Sequence, residues 1–109
     1  MNTAYQSCID ACTNCATACD HCTSSCLQEE DVTMMARCIQ LDMECSNICK
    51  TTAVFMHLQS NHANTICQIC ADVCTACAVE CEKHDNEHCR KCASACRECA
   101  EECLSMVAA

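Results

Sequence analysis

The chain has 109 residues, which predicts one domain over residues 1–109 and leaves no room for a second. Its 19 cysteines, together with the absence of glycine and proline, indicate a cysteine-built scaffold. They argue against a many-stranded β fold, whose tight turns need glycine. The net charge of −9 at pH 7 repels phosphate backbones and anionic lipid, which excludes nucleic acids and membrane surfaces as partners.

The cysteines recur in steps of four and three residues, the spacing that places side chains on one face of a helix. They form four runs, which predict helices over residues 2–27, 32–60, 64–83 and 86–107. Asp31, Asn64 and Asp85 stand where the last three helices begin and are the expected N-caps. Connections this short make neighbouring helices antiparallel. The expected fold is therefore all-α, an up-down-up-down four-helix bundle with the cysteines facing its axis.

Every cysteine of this lining is a candidate metal ligand. In chain order the candidates are Cys8, Cys12, Cys15, Cys19, Cys22, Cys26, Cys38, Cys45, Cys49, Cys67, Cys70, Cys74, Cys77, Cys81, Cys89, Cys92, Cys96, Cys99 and Cys103. Residues three or four apart lie one turn apart on a helix, so their sulfur atoms can converge on one soft ion. Neighbouring helices can then supply further thiolates.

Thiolate ligands suit Cu(I), Zn(II) or iron–sulfur clusters. Structural zinc and clusters are usually held by knuckles and loops rather than by a continuous helix stripe. Charge also separates the metals, because Cu(I) with one net thiolate is neutral, whereas Zn(II) with four thiolates leaves a net charge that is costly to bury. We therefore expect many Cu(I) ions per chain, approaching one per cysteine.

Three other readings of the cysteines remain: simple core packing, a disulfide ladder, and sequestration of zinc or mixed soft metals. Leucine would bury far more area than cysteine in a packing role. The first six residues show neither the basic nor the apolar region of an export signal, so we expect a cytoplasmic location. Thiols stay reduced in that compartment, which argues against disulfides.

Asp42 interrupts the cysteine stripe of the second helix. The series Cys38, Asp42, Cys45, Cys49 keeps the four-three spacing, so Asp42 occupies a core position. A lone buried carboxylate is costly unless it is paired or bound to a metal. It is a candidate auxiliary oxygen ligand, and the alternative is that it is hydrated in a wet channel.

At one end of the expected bundle the helices carry thioether, imidazole and carboxylate groups, namely Met35, His84, His88 and Glu29. We call this end, formed by connections 26–38 and 81–89, the mouth. Met35, His84 and His88 are candidate ligands through which a metal ion enters. The alternative for the two histidines is that they are solvated loop residues.

The opposite end is expected to be closed by apolar bulk, namely Tyr5, Met56 and Met106, with Phe55 and Leu58 near them. The remaining histidines lie off the cysteine stripes and are expected on the surface; they are His21, His57 and His62.

A second apolar line suggests self-association. On the second helix it comprises Met34, Leu41, Ile48 and Phe55, and on the third Ile66, Ile69 and Val73. An exposed apolar strip marks a contact surface, which a closed symmetric homo-oligomer would bury. The alternative is a wide apolar face that packs between neighbouring helices of one chain.

The runs Cys8–Cys26, Cys67–Cys81 and Glu87–Cys103 resemble the bacterial four-helix-bundle copper storage proteins, and the resemblance covers essentially the whole chain. It implies Cu(I) storage in a thiol-lined bundle without catalysis. The chain is similar to the cytosolic members, which form homotetramers of bundles. The family has histidine near its entrance, which His88 matches. The second helix departs from the pattern in supplying only three cysteines.

Two other functions compete with storage. A delivery module that hands Cu(I) or Zn(II) to partners usually needs one exposed Cys-x-x-Cys, and 19 cysteines exceed that need. A thiol oxidoreductase needs one activated, accessible thiolate, which nothing in the sequence singles out. No nucleophile–base pair or phosphate-binding loop supports other chemistry. We expect no enzymatic activity.

Overall fold

The computed structural model describes residues 3–108, and it shows an all-α four-helix bundle. The helices are α1 (Thr3–Cys26), α2 (Ala36–His57), α3 (Ala63–Cys81) and α4 (Glu87–Ala108), with a 3₁₀ turn at Val32–Met35 before α2. Each helix packs against its two neighbours, α1 and α3 both contacting α2 and α4. The bundle measures 45 × 19 × 18 Å. The predicted up-down-up-down fold is confirmed. The first residue of the predicted first helix, residue 2, lies outside the described residues.

The second helix differs at both ends from the predicted range 32–60. The N-cap at Asp31 is confirmed, since a side-chain oxygen accepts from the Met34 amide at 3.2 Å, but it caps the 3₁₀ turn and α2 proper begins at Ala36. Gln59 has a φ of 52°. The Ser60 amide donates to the Phe55 carbonyl at 3.1 Å, which completes a Schellman-type stop. Without glycine in the chain, glutamine takes the left-handed position.

The other two predicted N-caps are wrong by one or two residues. Helix α3 begins at Ala63, and the preceding His62 supplies no side-chain cap, so Asn64 lies inside the first turn. Helix α4 begins at Glu87, and the carbonyl of Asn86 accepts from the amides of residues 89 and 90, both at 3.1 Å. Asp85 therefore lies one residue outside the cap position. Helix α3 also ends at Cys81 rather than at residue 83.

Cysteine occupies the bundle axis over its whole length. All 19 cysteines are free thiols with no exposed surface. Small residues lie beside them in the core, namely Ala11, Ala16, Ala71, Ala78, Ala93 and Ala100. Alanine at these positions lets the helix backbones approach closely, so sulfur atoms of facing helices meet at the axis. Within residues 3–108, no helix combines the length and the apolar character that crossing a membrane requires.

The second apolar line is not the continuous exposed strip that was expected. Met34 is 70% exposed, but Leu41 is only 5% exposed, and Ile48 and Phe55 are half-buried. Leu41 packs into the core of its own chain because the apolar face of α2 is wide enough to reach between its neighbours. On α3, Ile69 keeps 46% of its surface exposed.

Candidate metal centre

The sulfur atoms form a column that runs along the bundle axis. Successive Sγ–Sγ distances of 3.6 to 4.0 Å connect Cys8, Cys103, Cys12, Cys99, Cys49, Cys74, Cys45, Cys15, Cys96, Cys19 and Cys92, in that order. The shorter contacts join different helices, such as Cys15 to Cys45 at 3.6 Å, whereas the within-helix pair Cys70 to Cys74 lies at 3.9 Å. Facing helices thus contribute to the same sites.

Groups of four sulfur atoms, all within 4.8 Å of one another, are spaced along this column. They include Cys12/Cys70/Cys99/Cys103, Cys15/Cys49/Cys74/Cys99, Cys15/Cys19/Cys45/Cys96, Cys19/Cys77/Cys92/Cys96 and Cys22/Cys26/Cys38/Cys89. Cys15, Cys19, Cys96 and Cys99 each belong to two of these groups. Separate tetrahedral zinc sites, each with four thiolates of its own, could occupy only some of these groups at the same time. Ions that bind two or three thiolates and share sulfur atoms could occupy neighbouring groups together.

Burial raises the thiol pKa values, whereas hydrogen bonds between thiols raise some of these values and lower others. Hydrogen bonds from Cys22 and Cys81 lower the pKa of Cys38, whereas burial raises the pKa of Cys26 to about 12. Hydrogen bonds to neighbouring thiols, Cys15 first among them, raise the pKa of Cys19. A dry core favours protonated thiols, so metal uptake by this column must release protons.

Asp42 lies on the axis, as its place in the cysteine spacing predicts, and it has no exposed surface. Its Oδ1 accepts from Cys77 Sγ at 3.2 Å, Cys92 Sγ at 3.3 Å and Cys81 Sγ at 3.5 Å, and its Oδ2 lies 3.7 Å from Cys38 Sγ. Burial is the main cause that raises the pKa of Asp42 to about 10, with the charge of nearby thiolates adding to it. The carboxyl group lies between this column and the thiols nearer the mouth, which we call the outer thiols: Cys22, Cys26, Cys38, Cys81 and Cys89.

His88 lies against the outer thiols at the mouth. Its Nδ1 atom is 3.5 Å from the sulfur atoms of both Cys22 and Cys89, and 3.8 Å from that of Cys26. Its Nε2 atom lies 2.9 Å from a carboxylate oxygen of Glu29. The side chain is only 13% exposed, so the imidazole closes the outer end of the column rather than extending into solvent.

His84 and Met35 lie further out. They line a pocket of about 610 Å³ at the mouth. Met35 is buried, and His84 Nε2 lies 3.0 Å from Glu80 Oε2. The structure therefore brings His88 to the thiols and leaves His84 in the pocket outside them. The surface position predicted for the other three histidines is confirmed, because His21, His57 and His62 are all exposed.

The opposite end carries the apolar residues that were expected there, with one exception. Met56 and Met106 are buried, and Tyr5 packs half-buried against the core. Leu58 is 74% exposed and closes nothing. Its placement in the plug was wrong because α2 stops at His57, and Leu58 begins the turn that follows.

Two carboxylates at the mouth were not recognised as histidine partners from the sequence. Glu80, in the last turn of α3, and His84, three residues after the end of that helix, are four residues apart, a spacing that could have revealed the pair. Glu29 meets His88 across 59 residues of sequence, and no spacing rule reveals that contact.

The comparisons with known proteins agree with this geometry. The family model described as Csp, copper storage protein, matches residues 1–108. The cysteine-rich protein YhjQ of Bacillus subtilis is 47% identical over 80 residues, which cover 73% of this chain and 74% of that protein.

Two solved structures are similar over nearly the whole bundle. The Cu(I)-bound copper storage protein BsCsp3 of Bacillus subtilis is 45% identical, with a TM-score of 0.93, 96% of this chain covered and 99% of that one. A cytosolic copper storage protein from Streptomyces lividans, carrying five coppers, is 39% identical with a TM-score of 0.95, over 97% of this chain and 93% of that one. Buried thiols on all four helices, the family match and these relatives agree, and the chain belongs to the copper storage protein family.

Proposed function

We propose that this chain stores Cu(I) in the cytoplasm, with residues 1–109 acting as one metal-binding unit and all 19 cysteines as ligands. The observation that carries the proposal is the column of free, buried thiols, in which four of the five four-sulfur groups named above share members. The Streptomyces lividans relative is described as cytosolic, and another structure of it is loaded with 10 copper equivalents. Anaerobic titration of the reduced chain with Cu(I) tests the proposal through the number of ions bound.

Storage fits the site better than delivery or catalysis. A protein that hands over one ion needs an accessible pair of thiols, but every cysteine here is fully buried. A redox enzyme needs an activated thiolate that its substrate can reach, and the described thiols offer none. The family is one of storage proteins rather than enzymes.

Asp42 is the proposed oxygen ligand of the column. It contacts thiols from α2, α3 and α4, and its Oδ1 lies within 3.5 Å of three sulfur atoms. An ion passing between the outer thiols and the column would meet this carboxylate, which must give up its proton to bind a metal.

The mouth is the proposed route for copper. Replacing the three candidate groups together, as Met35→Leu, His84→Ala and His88→Ala, should slow Cu(I) loading by roughly ten-fold or more, because these groups pass ions to the buried thiols. Capacity should fall only slightly, since the cysteines remain. Stopped-flow loading from a coloured Cu(I)–chelator complex measures both quantities.

The matched control exchanges the same residue types elsewhere, as Met43→Leu, His57→Ala and His62→Ala, all three exposed. It should load like the unmodified chain. A mouth variant that loses capacity while it keeps its loading rate would place the entrance elsewhere.

We propose a homotetramer, the assembly that the family resemblance implies. The surface that supports self-association is a stripe on α3, formed by half-buried Ile66 and Val73 with exposed Ile69 and Ala76. These residues are three or four apart and share one face of the helix. A closed symmetric assembly would cover such a stripe.

Light scattering tests the assembly. The reduced apo chain should show about four times its mass of 11.9 kDa. Ile69→Glu with Ala76→Glu should dissociate it and leave the capacity per chain intact, because both side chains are exposed and no cysteine is changed. Substitution of buried Leu41 would instead disturb the chain's own core. Thr75→Glu, at an exposed position of α3 that lies off the stripe, is the control. A monomeric wild-type chain would overturn the assembly.

A further inference from the structure

One oxygen atom of Glu29 accepts two hydrogen bonds from the start of α4. Glu29 Oε1 lies 2.9 Å from His88 Nε2 and 3.0 Å from Asn86 Nδ2. Glu29 itself belongs to the connection between α1 and α2. Two donors fix the carboxylate from one side, so its position relative to the imidazole is determined by the fold rather than by a flexible surface pair.

This contact decides which nitrogen of His88 is free. A neutral imidazole carries one N–H donor and one lone-pair nitrogen, and the partner of the donor selects the tautomer. A carboxylate accepts, so Nε2 must carry the hydrogen. Nδ1 then presents its lone pair to the sulfur atoms of Cys22, Cys26 and Cys89, which lie within 3.8 Å.

The second histidine of the mouth lacks this arrangement. Nε2 of His84 also meets a carboxylate, that of Glu80, at 3.0 Å. Glu80 lies in the last turn of α3, only four residues before His84, and His84 lines the pocket of about 610 Å³ instead of contacting the thiols. In contrast, the hydrogen bond between Glu29 and His88 connects the segment between α1 and α2 to α4. It leaves Nδ1 of His88 facing the outer thiols.

We propose that Glu29 is a positioning residue for copper transfer, which fixes the His88 tautomer and ring so that Nδ1 can take up Cu(I) and pass it to the outer thiols. Carboxylates that hold metal-binding histidines commonly contribute 10- to 100-fold to metal affinity or activity. The inference rests on the proposed storage function, because it names the residue that orients the first imidazole ligand of that store.

Loading kinetics test this role. Glu29→Ala should slow Cu(I) loading from a coloured Cu(I)–chelator complex by about ten-fold or more, with the final number of ions unchanged. Glu29→Gln should load close to the wild-type rate, because the amide oxygen still accepts from both donors. Glu30→Ala is the control, because it removes the same charge from the neighbouring residue. Within the described residues Glu30 makes no hydrogen bond to His84 or His88, so this variant should load Cu(I) at the wild-type rate.

Two further measurements separate positioning from general charge or folding effects. Nitrogen-15 chemical shifts of His88 in the apo protein should show the Nε2–H tautomer in the wild type and in Glu29→Gln, and a tautomer mixture in Glu29→Ala. In a His88→Ala background, Glu29→Ala should add no further slowing. Equal slowing by Glu30→Ala, an unchanged tautomer in Glu29→Ala or additive slowing would overturn the role of Glu29. A wild-type chain that binds only a few ions would overturn storage itself.

Discussion

Anaerobic titration of the reduced chain with Cu(I) should saturate well above about ten ions per chain and approach one ion per cysteine, since each ion with one net thiolate adds no buried charge. The 19 thiols are free and buried, and four of the five four-sulfur groups named above share members, so ions can share sulfur atoms along most of the column. Competition with a Cu(I) chelator gives the number bound, and a thiol count on the same sample gives the number available. Saturation at only a few ions would contradict storage.

Serine variants test whether the number of Cu(I) ions bound follows the number of thiols. Cys15→Ser, Cys45→Ser and Cys96→Ser remove three contacting thiols from the middle of the column, where they lie 3.6 to 3.8 Å apart. Capacity should fall by about three ions if each thiol supports about one ion of neutral charge. The control variant carries Ala16→Ser, Ala71→Ser and Ala93→Ser, which place three hydroxyl groups in the core at buried positions and remove no thiol. It should bind as many Cu(I) ions as the wild type. If it lost as many ions as the cysteine variant, the loss would come from disturbed core packing and not from the missing thiols.

The stability of the apo protein should depend on pH through Asp42. Its pKa is raised in the folded chain from 3.8 to about 10, mainly by burial. The folded state therefore holds a proton that the unfolded state has released. This contribution to stability is complete below pH 3.8 and is lost progressively as the pH rises towards 10. A difference of one proton corresponds to about 1.4 kcal/mol per pH unit.

Thermal unfolding of reduced apo protein at pH 5 and pH 7 measures this effect below the ordinary titration range of thiols. The wild-type Tm should fall by roughly 10–20 °C between these values, because two pH units at about 1.4 kcal/mol each amount to about 3 kcal/mol, and about 1 kcal/mol moves the Tm of a domain this size by roughly 4–8 °C. Asp42→Asn, which cannot ionise, should flatten the dependence. Asp72→Asn changes an exposed carboxylate on α3 and should leave the dependence as in wild type. If the Tm of Asp42→Asn fell with pH as steeply as that of the wild type, Asp42 would be ionised in both the folded and the unfolded state.

Much of the architecture was predictable because one residue type marks the buried face. The four-three spacing of cysteine identified four helices, their inward faces and the buried position of Asp42. Helix ends were less predictable, because the connections hold several polar residues in a row. Asn86 rather than Asp85 precedes α4, and the first turn of α3 begins before Asn64. Spacing within a helix cannot separate such neighbours.

Other features depended on contacts between distant parts of the chain. Leu41 shares a heptad line with exposed Met34, yet it is buried, because the depth of a flanking position depends on how closely the neighbouring helix packs. The contact of Glu29 with Asn86 and His88 spans 57 and 59 residues. Local periodicity does not contain this information, so the three-dimensional structure was needed to identify Glu29 as the residue that orients His88.

The arrangement of thiols along the axis also determines how the metal capacity of such a bundle can change. Each heptad inserted in register into all four helices would lengthen the bundle by about 10 Å and add about eight inward positions. The new layer would need no loop and no new ligand geometry, since it repeats the layers on either side. Capacity in this architecture therefore grows linearly with helix length, while the chemistry of both ends stays the same.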